Sequence, residues 1–145
     1  MQNLAILAVF ATFFSGTAIA QKGPCTEQLI RDTNAKHVGG ALADDVYVVS
    51  PAYNEPVIGR AEAERVGKII HSQRTNESNG PNPPDHIVVA PSGDMAYAYG
   101  TRHISFNEKQ GGKHVEFKNV YLQVWKVVDG ACKIAATMTE REGQH

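Results

Sequence analysis

The chain has 145 residues, 42% of them hydrophobic, with 14 Lys and Arg against 15 Asp and Glu and a formal net charge of −1. Those figures describe one ordinary globular domain, large enough to bury a real core. They exclude a nucleic-acid binder held by phosphate contacts, because the basic residues are outnumbered and form no cluster.

The N-terminus reads as a targeting segment. Leu4 to Phe14 is an uncharged apolar run too short to span a bilayer, and Thr17-Ala18-Ile19-Ala20 places small residues ahead of a cleavage point. Residues 1–20 are therefore expected to be a secretory signal peptide, although Met1-Gln2-Asn3 supplies no Lys or Arg. The alternative is a buried N-terminal helix, which would need a larger protein around a tract apolar on every side. Residues 21–145 then form one domain, secreted or periplasmic, with no membrane attachment after cleavage. Lys22-Gly23-Pro24 ahead of Cys25 is not an acylation motif. An oxidising compartment favours a disulfide between Cys25 and Cys132, the two cysteines of the chain, over two separate buried thiols.

Periodicity gives the coarse elements. Thr26 is a suitable N-cap for a short helix carrying Leu29, Ile30 and Thr33 on its apolar stripe and ending at Gly39-Gly40. Val46 to Val49 is β-branched and aromatic and stops at Pro51, so it predicts a strand. Gly59 opens a second helix, with Val66, Ile69 and Ile70 inward and Arg60, Glu62, Glu64 and Lys68 in water. From Ser72 to Asp85 the Asn, Gly, Pro and Ser content predicts a long loop or lid. It includes Asn76-Glu77-Ser78, a glycosylation acceptor sequence in a eukaryotic host.

After Asp85 the pattern is β throughout. Strands are expected over His86–Ala90, Met95–Phe106, Val115–Val128 and Cys132–Thr139, separated by Pro91–Asp94, Gln110–Gly112 and Asp129-Gly130. In the third of these, Val120, Leu122 and Val124 occupy one face, and Phe117, Tyr121 and Trp125 the other. A single sheet covered by helices needs only one apolar face. The second predicts a partner subunit, most simply in a two-fold homodimer.

Leu42-Ala43-Asp44-Asp45, the strand ending Ser50-Pro51, the Gly59-Arg60 helix start and the blocks SGDMAYAYGT and VWKVVDGACKIA resemble the SnoaL-like (DUF4440) branch of the nuclear transport factor 2-like superfamily. The resemblance covers residues 42–138. It implies an α+β fold in which a curved antiparallel sheet packs around N-terminal helices to form a cone-shaped pocket. It also implies that Asp44-Asp45 sits at a helix-to-strand corner. Superfamily members include ketosteroid isomerases, cyclases, dehydratases and inactive binding or scaffolding modules.

The isomerases place a general-base Asp before the Pro that ends the first strand, and here that position is Ser50. An unaided hydroxyl cannot abstract a carbon-bound proton at neutral pH. Their oxyanion hole needs a Tyr in the first helix and a protonated Asp in a late strand. Thr26 and the acid-free Val120–Val128 stand there instead.

The resemblance further places Tyr97, Tyr99, Thr101 and His103 toward the cavity, with Ala96, Ala98 and Gly100 facing away, and adds Ser50, Tyr53 and Leu122 as candidate ligand-binding residues. His103 is the one group among these able to exchange a proton near pH 7. The six histidines show no metal-ligand spacing, so no metal or other cofactor is expected. Two readings remain open: a secreted dimeric module binding a small hydrophobic molecule or serving as a scaffold, with no recognisable catalytic set, and an isomerase, dehydratase or cyclase using His103 with Tyr99 or Ser50.

Overall fold

The computed structural model describes residues 23–36, 41–80 and 83–143. The expected signal peptide and Gly39-Gly40 lie outside them. Element order is α1 (Glu27–Lys36), β1 (Leu42–Val49), β2 (Val57–Ile58), α2 (Arg60–Ser72), β3 (Arg74–Asn79), β4 (His86–Val89), β5 (Met95–Glu108), β6 (His114–Val128) and β7 (Ala131–Arg141). The strands form one sheet in the order β2-β1-β7-β6-β5-β3, with β4 pairing to β5 on the same edge as β3. Pairing is antiparallel except between β1 and β7, which are parallel. The sheet is therefore mixed, a departure from the wholly antiparallel expectation.

Local chemistry explains the element ends. The Leu29 amide donates to the Thr26 hydroxyl at 3.2 Å, which caps α1. Gly59 precedes α2 at φ 91°, a conformation that favours glycine. Asp129 and Gly130 both take positive φ in the two-residue turn joining β6 to β7, as the twist of a tight hairpin requires.

Two expectations are corrected here. The polar stretch after Ser72 is not a loop throughout, since Arg74–Asn79 pairs with Ile104–Glu108 of β5 as edge strand β3. Its backbone hydrogen bonds hold it there without an apolar alternation, and a register shift between Thr75 and Ser78 leaves Asn76 at φ 52°. Asp44-Asp45 lies inside β1 rather than at a corner, and the pair is exposed, Asp44 bridging to Arg60 and Asp45 to Lys126. The Lys126 ammonium, hydrogen-bonded to Asp45, lowers the pKa of that carboxyl.

The core occupies one end of the sheet. Trp125, Ala96, Ala98, Cys132 and Ile134 meet Cys25 and Ile30 from the α1 region and Val46 and Val48 from β1. Cys25 and Cys132 form a disulfide across a sequence separation of 107. Along the same face toward the other end, β5 changes from Ala96, Ala98 and Gly100 to Arg102 and Ile104, and β6 from Trp125 to Gln123, Asn119 and Phe117. The sheet face is thus apolar and closed at one end, polar and roomy at the other.

Candidate functional site

Between that polar stretch and the helices lies a cavity of about 630 Å³, walled by α1, α2, β3, the sheet and the Ser50–Tyr53 turn. This volume falls in the range of small-molecule pockets. Its floor is set by strand register. Arg102 of β5 pairs with Asn119 of β6, which pairs with Arg141 of β7, so the three stand side by side on adjacent strands. Gln123 lies four residues further along β6 on the same face and pairs with Thr137.

Register on β7 depends on a bulge. Trp125 pairs with Ile134 but Val124 with Ala136, and the extra residue turns Thr137, Thr139 and Arg141 into the cavity.

The floor carries polar atoms without partners. Asn119 and Gln123 are 5% and 6% exposed, and Asn119 Oδ1, Gln123 Oε1 and Arg141 Nε have no hydrogen-bond partner among the described residues. The Arg141 guanidinium stacks on Phe117, 4.2 Å from the ring centroid. Arg102 lies over the Tyr121 ring at 5.7 Å, and burial lowers its pKa while leaving it charged. Burial pushes the Tyr121 phenol up to about 12, so it remains protonated at neutral pH. Tyr53, on the cavity wall, is likewise raised by burial against the opposing effect of Arg74.

At the end of α2 His71 Nδ1 lies 2.5 Å from Glu77 Oε2, and Arg74 donates to Glu77 Oε1 at 3.0 Å. All three side chains line the cavity. Burial works to raise the Glu77 pKa, but the hydrogen bonds from His71 and Arg74 outweigh it and the carboxyl is held low. Among the described residues no group of three or more His, Cys, Asp or Glu side chains converges to hold a metal.

The residues singled out from sequence divide between two faces. Ser50 and Tyr53 line the cavity. Tyr97, Tyr99, Thr101, His103 and Leu122 do not, because they stand on the opposite, outer face of the sheet. Tyr97 and Tyr99 are each 43% exposed, and His86 of β4 stacks on Tyr99. His103 Nδ1 has Glu116 at 3.5 Å, both exposed and both remote from the cavity floor.

Packing explains the reversal: Ala96 pairs with Trp125 and Gly100 with Tyr121, so the small residues of β5 face the core because the large residues of β6 fill that side. A Cβ on Gly100 would stand 2.9 Å from the Tyr121 hydroxyl. Arg102, Asn119, Gln123, Arg141, His71 and Glu77 escaped notice in sequence. The small-to-large pairing across the β5–β6 hairpin is the signal that could have placed Arg102, Asn119 and Gln123, whereas Arg141 on β7 depends on the bulge.

No protein-family model matches the chain, and no curated protein matches it in sequence. Solved structures do match. A nuclear transport factor 2 (NTF2-like) superfamily protein from Salmonella enterica subsp. enterica serovar Typhimurium str. LT2 aligns with TM-score 0.64 and 16% identity over 82% of this chain and 96% of that one. A ketosteroid isomerase-like protein from Erwinia carotovora atroseptica SCRI1043 aligns with TM-score 0.61 and 14% identity, covering 80% and 87%. A candidate SnoaL-like polyketide cyclase from Shewanella denitrificans OS-217 gives 0.55 and 12%, covering 81% and 91%. The chain has the NTF2-like fold, an α+β cone built on a curved sheet. Identity this low carries architecture and not activity.

Proposed function

We propose that the protein is an exported, dimeric module that binds a small molecule in the cavity between sheet and helices. The observation that carries this reading is the cavity itself, where the buried amide oxygens of Asn119 and Gln123 find no partner among the described residues. Buried polar atoms are nearly always satisfied, so a site that leaves several open is shaped for a visitor. The disulfide fits an oxidising compartment, and no described helix is long and apolar enough to cross a membrane. The cavity is more polar than the hydrophobic ligand expected from sequence would need. Native mass spectrometry of the chain purified from an oxidising host tests the reading: a dimer carrying an additional small mass is expected, and an empty chain that takes up no compound from a metabolite extract would overturn it.

A catalytic reading is favoured by one observation, the His71–Glu77 pair on the cavity wall. A carboxylate fixing one imidazole nitrogen leaves the other to exchange a proton with a bound molecule. This pair replaces His103 as the group on which such chemistry would rest. On this reading His71→Ala abolishes conversion of the bound compound and leaves its binding intact, whereas unchanged conversion removes the idea.

A further inference from the structure

We propose that Asn76 is an N-glycosylation site, its side-chain amide on the bulge of β3 carrying one oligosaccharide after the chain has passed through a eukaryotic secretory pathway. The inference rests on the export reading and adds a covalent modification to it. Asn-Xaa-Ser/Thr occurs once in the sequence, at Asn76-Glu77-Ser78. Such tripeptides arise often by chance, and what distinguishes this one is its place in the fold.

A bulky polar group on a folded domain needs solvent, a backbone that points it outward, and an attachment atom that is not already in use. Asn76 and Ser78 are both exposed, and β3 ends the strand order, so its far edge faces no other strand among the described residues. The pairing of β3 with β5 holds at Thr75 with Asn107 and at Ser78 with Ser105 and slips between them, where Asn76 takes φ 52°. Asparagine enters this left-handed conformation more readily than most residues, and the bulge takes the acceptor out of the regular ladder. The Asn76 side chain makes no hydrogen bond among the described residues, so substituting its nitrogen breaks no contact. Glu77 turns the other way and lines the cavity, where Arg74 donates to it at 3.0 Å and His71 lies against its second oxygen. The acidic middle residue thus keeps its charge off the acceptor side.

The attachment point is also clear of the other surfaces. β3 meets β5 at Ile104–Glu108, whereas the exposed Tyr97 and Tyr99 lie beside β4. Tyr99 and Ser105 are separated by roughly 20 Å at the usual strand rise, so a sugar on Asn76 leaves the apolar outer face open. It covers instead the free edge of the sheet, which is otherwise a template for pairing with another chain. The co-reactant is a lipid-linked oligosaccharide, which that pathway supplies with its transferase. Asn76 Nδ2 loses a proton and bonds to C1 of the first sugar, while the bond from C1 to the lipid pyrophosphate breaks and the pyrophosphate leaves.

The test is secretion of the full chain, with its own leader, from cultured insect cells, followed by intact mass and peptide mapping before and after digestion with an amidase that releases N-linked sugars. One glycan per chain is expected, on the peptide containing Asn76, and its release should leave an aspartate at that position. Asn76→Gln and Ser78→Ala should each lose the mass increment and Ser78→Thr should keep it, so the outcome does not hang on the folding of one variant. A secreted chain of unmodified mass, or a sugar that survives Asn76→Gln, would overturn the proposal and leave export standing. A chain retained in the cells with residues 1–20 uncleaved would overturn both.

Discussion

Gly100 and Gly67 make opposite demands, and the difference can be measured. At Gly100 an added methyl would lie 2.9 Å from the Tyr121 hydroxyl and 3.1 Å from the Asp85 backbone nitrogen. Gly100→Ala therefore has to displace a packed aromatic and a backbone segment, and we expect a loss of about 1–3 kcal/mol in urea unfolding, the usual range for overpacking. At Gly67, inside α2, an added methyl would meet nothing within 4 Å. Gly67→Ala should gain about 0.5–1 kcal/mol, because only the entropy cost of glycine in a helix is removed. Equal effects at the two sites would contradict the packing described for β5. The same side chains set the limit of what sequence reveals about the site. Alternation along β5 separates Tyr97, Tyr99 and His103 from Ala98 and Gly100, yet alternation alone has no sign. Only the paired strand, with Tyr121 and Trp125 opposite Gly100 and Ala96, says which set is inside.

At the scale of elements, the helix positions and the strands β1 and β4 to β7 were largely legible, because β-branched runs and turn residues announce them, whereas the two-residue β2 carries no such signal. β3 was not, since an edge strand of Arg, Thr, Asn, Glu and Ser is held by backbone pairing and carries no apolar rhythm. The parallel contact between β1 and β7 was also invisible, being a long-range choice that no local pattern encodes. The disulfide joins two such distant pieces, tying the lead-in to α1 to the start of β7 over a separation of 107 residues. Closing so long a loop removes much of the freedom of the unfolded chain, and the double substitution Cys25→Ala with Cys132→Ala should cost roughly 2–4 kcal/mol. Thermal unfolding with and without reductant checks this. A reduced protein that melts at the same temperature as the oxidised one would mean that apolar packing around Ile30 alone anchors α1.

Across the whole molecule the sheet carries apolar side chains on both faces, and among the described residues the helices cover only one. On the outer face Ile58, Tyr47, Ala136, Val124, Tyr97 and Val88 form one cross-strand row, and Met138, Leu122, Tyr99 and His86 the next. The first row crosses six strands, roughly 24 Å at the usual strand spacing. With its neighbours it makes a contiguous apolar patch of the kind that marks an interaction surface. The residues are individually exposed, Leu122 by 39% and Met138 by 52%. A second copy is the occupant we propose, because a two-fold axis sets one patch spanning the sheet against the same patch of its copy. Leu122 sits near its middle, between Tyr99 and Met138. Leu122→Glu would place two carboxylates against apolar surface across that axis, and light scattering should report a monomer where the unaltered chain is a dimer. Its small-molecule binding should survive, since Leu122 faces away from the cavity floor. The melting temperature of the unaltered chain should also fall on dilution, while that of the variant should not, because only a dimer links folding to concentration. A chain that is monomeric at every concentration, with Leu122→Glu behaving identically, would overturn the dimer and leave the outer face without its proposed partner.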